Sequence, residues 1–180
     1  MHYRMFFVFL ALAGLSGCMT VPPLDFMVEN VGQVSSRKNV EMKSLTVGFA
    51  PQSQQGVIES DAGLPPIWKE GLTDAINRAL IFRDSSNRKV NVSVRITEAD
   101  GAGAGITMTT KVSAIYEIVD RGNGNLLFAE KISTTGSVPF KYSALGVVRQ
   151  RESANRAVRN NIAAFISKLE AADLTKAVFR

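Results

Sequence analysis

Residues 89–97, Lys89-Val90-Asn91-Val92-Ser93-Val94-Arg95-Ile96-Thr97, set the architecture. Val90, Val92, Val94 and Ile96 alternate with Asn91, Ser93, Arg95 and Thr97, so every second side chain is apolar. A β-strand sends successive side chains to opposite faces, and this period of two specifies a strand buried on one face and wet on the other. Helices covering a sheet of such strands belong on one side of it.

The neighbouring segments extend that sheet. Past the glycine-rich link Gly101-Ala102-Gly103-Ala104-Gly105, a longer strand is predicted over residues 106–119. Arg121-Gly122-Asn123-Gly124 is a hairpin signal, because Asn and Gly tolerate positive φ. Its partner strand is predicted over residues 126–135, with Leu126, Phe128 and Ile132 facing one way. A helix over residues 151–173 carries the stripe Ala154, Val158, Ile162, Phe165, Ile166 and Leu169. Upstream, Leu45, Val47 and Phe49 alternate in a strand over residues 43–50, and a polar loop follows to Pro66. Trp68, Leu72, Ala75, Ile76 and Ala79 then share one face of a helix over residues 67–82, with Pro65 and Pro66 at its entrance. The expectation is an α+β domain over residues 41–180: a two-layer sandwich in the order β-α-β-β-β-α. Its four-stranded sheet carries two helices on one face and leaves the other wet or open to a partner.

The N-terminus has a different character. Arg4 precedes an uninterrupted apolar run, Met5-Phe6-Phe7-Val8-Phe9-Leu10-Ala11-Leu12-Ala13. These nine residues are too few for a helix spanning roughly 30 Å of hydrocarbon, so residues 1–17 are expected to be a signal peptide. Residues 18–40 hold Pro22-Pro23 and the polar stretch 33–39, and suit a tether leading from the membrane. Leu24, Phe26, Met27 and Val28 interrupt that tether and are candidates for docking on the domain.

Leu15-Ser16-Gly17-Cys18 resembles the lipobox of bacterial lipoproteins in motif, spacing and upstream segment. The resemblance implies diacylglycerol on the Cys18 sulfur, cleavage after Gly17 and acylation of the new amino terminus by a chain such as palmitate. Several acyl chains on one residue anchor durably where one does not. Met19 stands where an Asp would favour inner-membrane retention, which points to the outer membrane with the domain facing the periplasm. The element order behind a lipobox also resembles small envelope lipoproteins: the YajG-like group, the lipopolysaccharide-assembly lipoprotein LptE and the ABC-transport auxiliary lipoproteins. That likeness implies an accessory role in envelope assembly or transport.

Composition narrows the chemistry. The 46% hydrophobic and 21% charged content is that of a globular protein able to bury a core. The single cysteine rules out an internal disulfide. The formal charge is +5, and losing residues 1–17 removes only Arg4, leaving 20 basic against 16 acidic residues, or +4. Such a charge suits anionic headgroups or acidic partners. With no Lys/Arg run beyond two residues, nucleic acid is not expected.

The only histidine is His2, so the processed chain would lack a histidine base and the commonest zinc ligand. Its thiol would be acylated. Glu98, Asp100, Glu117 and Asp120 sit at predicted strand ends, the usual place of solvated turn carboxylates. The 101–105 run lacks the Gly-Lys-Ser/Thr ending of a phosphate loop and precedes a strand. No catalytic residue, metal or cofactor is expected, and the chain is read as not an enzyme.

The expected partner surface lies in the part-apolar segment 139–148, through Phe140, Tyr142 and Leu145, and on the last helix through Arg149, Arg156 and Arg159. Tyrosine and arginine anchor interfaces, and an arginine face suits lipid phosphates or an acidic protein. The leading expectation is an outer-membrane-anchored binding, assembly or transport accessory of the envelope. Its partners would be the membrane through Cys18 and an envelope protein or anionic lipid. Two alternatives stand beside it: a homo-oligomeric structural subunit of a secretion or surface-polymer machine, and a periplasmic hydrolase using Glu98, Asp100 or Glu117.

Overall fold

The computed structural model describes residues 21–59, 63–101 and 103–178. The lipobox at 15–18 and the signal segment lie outside them. Four strands, β1 (Glu41–Phe49), β2 (Lys89–Asp100), β3 (Thr107–Asp120) and β4 (Leu126–Pro139), form one sheet in the order β1-β2-β3-β4. β1 runs parallel to β2, while the β2/β3 and β3/β4 pairs are antiparallel. Helix α1 (Leu64–Ala79) lies in the β1-to-β2 crossover, and α2 (Gly146–Ala171) follows β4. This is the expected α+β fold.

Tyr116, on the inner face of β3, shows why both helices lie on one side. Its hydroxyl donates to Asn161 Oδ1 on α2 (2.8 Å) and accepts from Trp68 Nε1 on α1 (3.3 Å). Its ring stacks on Phe165 at 4.3 Å between centroids. Asn161 in turn donates to the Ile132 carbonyl at 2.9 Å. Burial keeps the Tyr116 phenol protonated by pushing its pKa up. Around this network Val90, Val92, Val94 and Ile96 are all buried, as their alternation requires.

Three elements differ from the sequence expectation. In β4 it is Leu127, not Leu126, that joins Phe128 and Ile132 in the core. A bulge opposite Ile118/Val119 inserts Leu127 as the extra residue and shifts the alternation by one. α1 begins at Leu64, with prolines in its first turn, and stops at Leu80, whose φ of 51° is left-handed. Ile81 and Phe82 are therefore buried beyond the helix end. β4 continues to Pro139 and α2 starts at Gly146, so the expected loop 139–148 shrinks to a 3-10 turn, Phe140–Tyr142, and a short link.

The segment before β1 straps the helices. Phe26 is 1% exposed and meets Trp68 edge-on at 6.3 Å. Gly71 lets the strap approach, since a Cβ there would fall 2.5 Å from the Phe26 carbonyl oxygen. Further along, Val34 N donates to Ala79 O (3.0 Å) and Lys38 N to Ile81 O (2.7 Å). The Lys38 ammonium caps the end of α2 through the Glu170 and Ala172 carbonyls, at 2.6 and 2.7 Å. From Leu24 to Val40 the segment is thus packed on the domain, with Leu24, Phe26 and Val28 against the core.

Candidate functional site

One end of the molecule gathers the starts of both helices, the end of β2, the start of β3 and the end of β4. Arg149 organises it. The residue is 4% exposed, and its guanidinium donates to Ser143 O (2.6 Å), Ala144 O (3.1 Å) and Gly105 O (3.2 Å). A cation in the first turn of a helix opposes the helix dipole, and α2 has neither a side-chain cap nor an acidic residue there. The three carbonyls offset that cost and tie the 143–144 link and the glycine loop to α2. Arg149 rivets these loops together, with its guanidinium turned inward.

The aromatic residues lie against arginines. Phe140 is 54% exposed, with the Arg149 guanidinium 4.9 Å from its ring centroid. Tyr142 is 50% exposed and holds Arg156 at 5.4 Å. Arg156 also pairs with Glu152 (2.8 Å) and donates to Ser137 O (3.0 Å). Leu145 is half-buried. Arg159, further along α2, pairs with Asp25 of the strap at 2.7 Å. The structure therefore brings Phe140, Tyr142, Arg149 and Arg156 together and leaves Arg159 apart from them, bound to the strap.

Two features of this end escaped the sequence. Ile106, adjacent to the β3/β4 register pair Thr107/Pro139, is 80% exposed. In sequence it reads as the first residue of the predicted strand, in phase with Met108 and Val112, but the strand begins at Thr107 and leaves it exposed. The second feature is a cavity of about 300 Å³ bordered by Leu24, Leu64, Ala99, Val147, Arg151 and Val158. It joins segments distant in sequence, so only the fold reveals it. Glu59 is the one carboxylate on its lining among the described residues.

The strand-end carboxylates lie elsewhere. Glu98 pairs with Lys111 (2.9 Å) and accepts from Ser113 Oγ (2.9 Å). The Lys111 ammonium, with help from Ser113, holds its carboxyl below the usual range. Glu117 takes both arms of the Arg95 guanidinium at 2.8 and 3.0 Å. These pairs lie on the sheet face opposite the helices, the face expected to be polar. Asp120 is bound by Arg88 (2.6 Å) and by Gly122 N, and its carboxyl is lowered by that arginine first. Among the described residues no group of three His, Cys, Asp or Glu could hold a metal ion, and no helix is long and apolar enough to cross a membrane.

No protein-family model matches the chain. No curated protein matches it either. Solved structures do resemble it. Protein XCC0632 from Xanthomonas campestris, of family DUF330, superposes with a TM-score of 0.54 at 9% identity, over 83% of this chain and 93% of that one. This shows a shared fold and no more. A PelC dodecamer from Paraburkholderia phytofirmans gives 0.49 at 12% identity, over 78% and 93% of the two chains. A minor lipoprotein from Acinetobacter baumannii gives 0.46 at 12%, over 73% and 91%. Those two scores are too low to say anything of this chain.

Proposed function

We propose that this chain is a bacterial outer-membrane lipoprotein, anchored through acylated Cys18, whose periplasmic domain binds an envelope protein or anionic lipid during assembly or transport. The sequence Leu15-Ser16-Gly17-Cys18 at the end of an apolar run carries this reading. The strap supports it. Packing on the core begins at Leu24, six residues after Cys18, so a short link joins the anchor to the domain. A binding role is favoured over hydrolysis because paired-carboxylate catalysis needs two acids facing one cleft. Here Glu98 and Glu117 lie in ion pairs on the sheet face, and Glu59 is the one described carboxylate at the cavity.

The test is crosslinking in cells of the wild type and Cys18→Ala, followed by purification in mild detergent and mass spectrometry. One envelope component enriched with the wild type and depleted with Cys18→Ala is expected. A defined particle containing this chain alone would instead establish a self-assembling subunit. Equal recovery of partners with both forms would remove the anchor from the function.

A further inference from the structure

Eight large apolar side chains are prominently exposed among the described residues, and five of them mark one end: Val57, Ile106, Phe140, Tyr142 and Val147. Val57 belongs there because its carbonyl accepts from Ala99 N, and Ala99 borders the cavity beside Val147 and Leu24. Ile106 and Phe140 flank the last β3/β4 register pair, and Arg149 ties Gly105 and the Phe140 ring to the start of α2. A sixth, Val21, lies three residues before Leu24 in the chain. The two remaining side chains, Leu80 and Val178, lie at the far end, after α1 and beside the start of β4. Scattered exposed apolar residues need no explanation, but a group of them at one pole does.

The covalent chain says what covers this pole. Leu24 borders the cavity, and Cys18 lies six residues before it. Six residues reach at most about 22 Å, and the three from Cys18 to Val21 at most about 11 Å. Acyl chains on Cys18 would therefore hold the bilayer surface within a short link of this pole, while the strap runs on toward the opposite end at Ala79 and Ile81. Lys141 and Arg151 add charge at the same pole and take part in none of the ion pairs of the described residues. Cations beside aromatic and aliphatic side chains suit the headgroup zone of an anionic lipid surface.

We infer that the domain docks end-on against its own membrane, with Ile106, Phe140, Tyr142 and Val147 seated in the lipid headgroup layer. This rests on the proposed acylation of Cys18. Docking fixes the orientation of the domain: both helices rise from the bilayer by their N-terminal ends, and the polar sheet face with its Arg95–Glu117 pair is turned sideways, opposite the helices. A second pole, marked by Leu80 and the 121–124 hairpin, points into the periplasm.

The experiment uses the full chain, expressed in cells, purified in detergent and reconstituted into vesicles of phosphatidylcholine and phosphatidylglycerol. Ile106→Cys and Val147→Cys, made singly, carry an environment-sensitive fluorophore, with Leu80→Cys and Ser93→Cys as references. All four positions are partly or well exposed, so the fold tolerates the label. Labels at 106 and 147 are expected to be quenched by lipids bearing a quencher about 5–10 Å deep, the depth of an interfacial segment, while those at 80 and 93 are not. The mass of the N-terminal peptide is read on the same preparation. An acylated Cys18 with unquenched labels at 106 and 147 overturns end-on docking and leaves the anchor standing. Unacylated Cys18 overturns both. Blue-shifted but unquenched labels that depend on protein concentration would assign the pole to a second copy of the chain and refute the lipid assignment.

Discussion

Replacing Phe26 by alanine tests whether the strap belongs to the folded unit. The ring is 1% exposed, packs edge-on to Trp68 at 6.3 Å and closes the core over α1. Burying roughly 200 Å² of phenylalanine at about 25 cal/mol/Å² gives about 5 kcal/mol as an upper value. Phe-to-Ala replacements in cores cost about 3–5 kcal/mol. A surface strap can partly collapse into the vacated space, so the low end applies, about 3 kcal/mol. For a domain of this size that lowers Tm by roughly 6–12 °C. The assay is urea unfolding followed in parallel by far-UV circular dichroism and by the fluorescence of Trp68, the only tryptophan. Both probes should move to lower urea together with an unchanged slope. A loss below about 1 kcal/mol, with coincident transitions, would contradict this packing: the strap would then be peeled away in solution and the core closed without it.

Gly71→Ala should destabilise as well, although alanine is the better helix former by about 1 kcal/mol, because its Cβ would fall 2.5 Å from the Phe26 carbonyl oxygen. Thermal unfolding checks it, and a gain in Tm would rule out the close approach. Asn161→Leu leaves the Tyr116 hydroxyl without its acceptor and the Ile132 carbonyl without its side-chain donor. A loss of about 2–4 kcal/mol in urea is expected, exceeding that of Asn160→Leu, which reaches only the Thr135 carbonyl at an exposed site. The Arg88–Asp120 pair makes stability depend on pH. The carboxyl is lowered on folding, so its contribution is present above the unfolded carboxylate range and is lost as pH falls through the folded value. Asp120→Asn should flatten the Tm-against-pH curve on the acidic side, and an unchanged curve would show that Arg88 contributes nothing through this pair.

The sheet and its helices were legible because two periods were clean: alternation over 89–97 and through Leu45, Val47 and Phe49 of the first strand, and the helical stripes ending at Ala79 and Leu169. The hairpin followed from Arg121-Gly122-Asn123-Gly124, and Gly124 does adopt a positive φ of 74°. Leu127 was hidden because a bulge leaves no mark in the apolar run Leu126-Leu127-Phe128-Ala129. The start of α2 was hidden for another reason. Its first turn has no side-chain cap and no acid, and what holds it is Arg149 reaching back to carbonyls at 105, 143 and 144. Phe26 stands with Leu24, Met27 and Val28 in a stretch whose apolar character marked it for docking, while the groove that receives it depends on Gly71 and shows only in the fold.

The site was legible only in part. Phe140 and Tyr142 stood out as apolar residues in a loop, but nothing in their spacing tells that Ile106 and Val57 share their end of the molecule. Arginine type likewise does not reveal direction: Arg149 turns inward, Arg156 lies on Tyr142, and Arg159 binds Asp25. The motif at 15–18 carries the proposed anchor, while three-dimensional convergence carries the pole proposed to face it.

Lipid anchoring stands or falls on the mass of the N-terminal peptide from the chain purified out of the membrane fraction. A peptide beginning at residue 18, with diacylglycerol and a further acyl chain on Cys18, is expected, and it should be absent from Cys18→Ala. A peptide beginning at Met1, or an unmodified Cys18 in a chain recovered from the soluble fraction, would show that this domain is not held to a membrane by its cysteine.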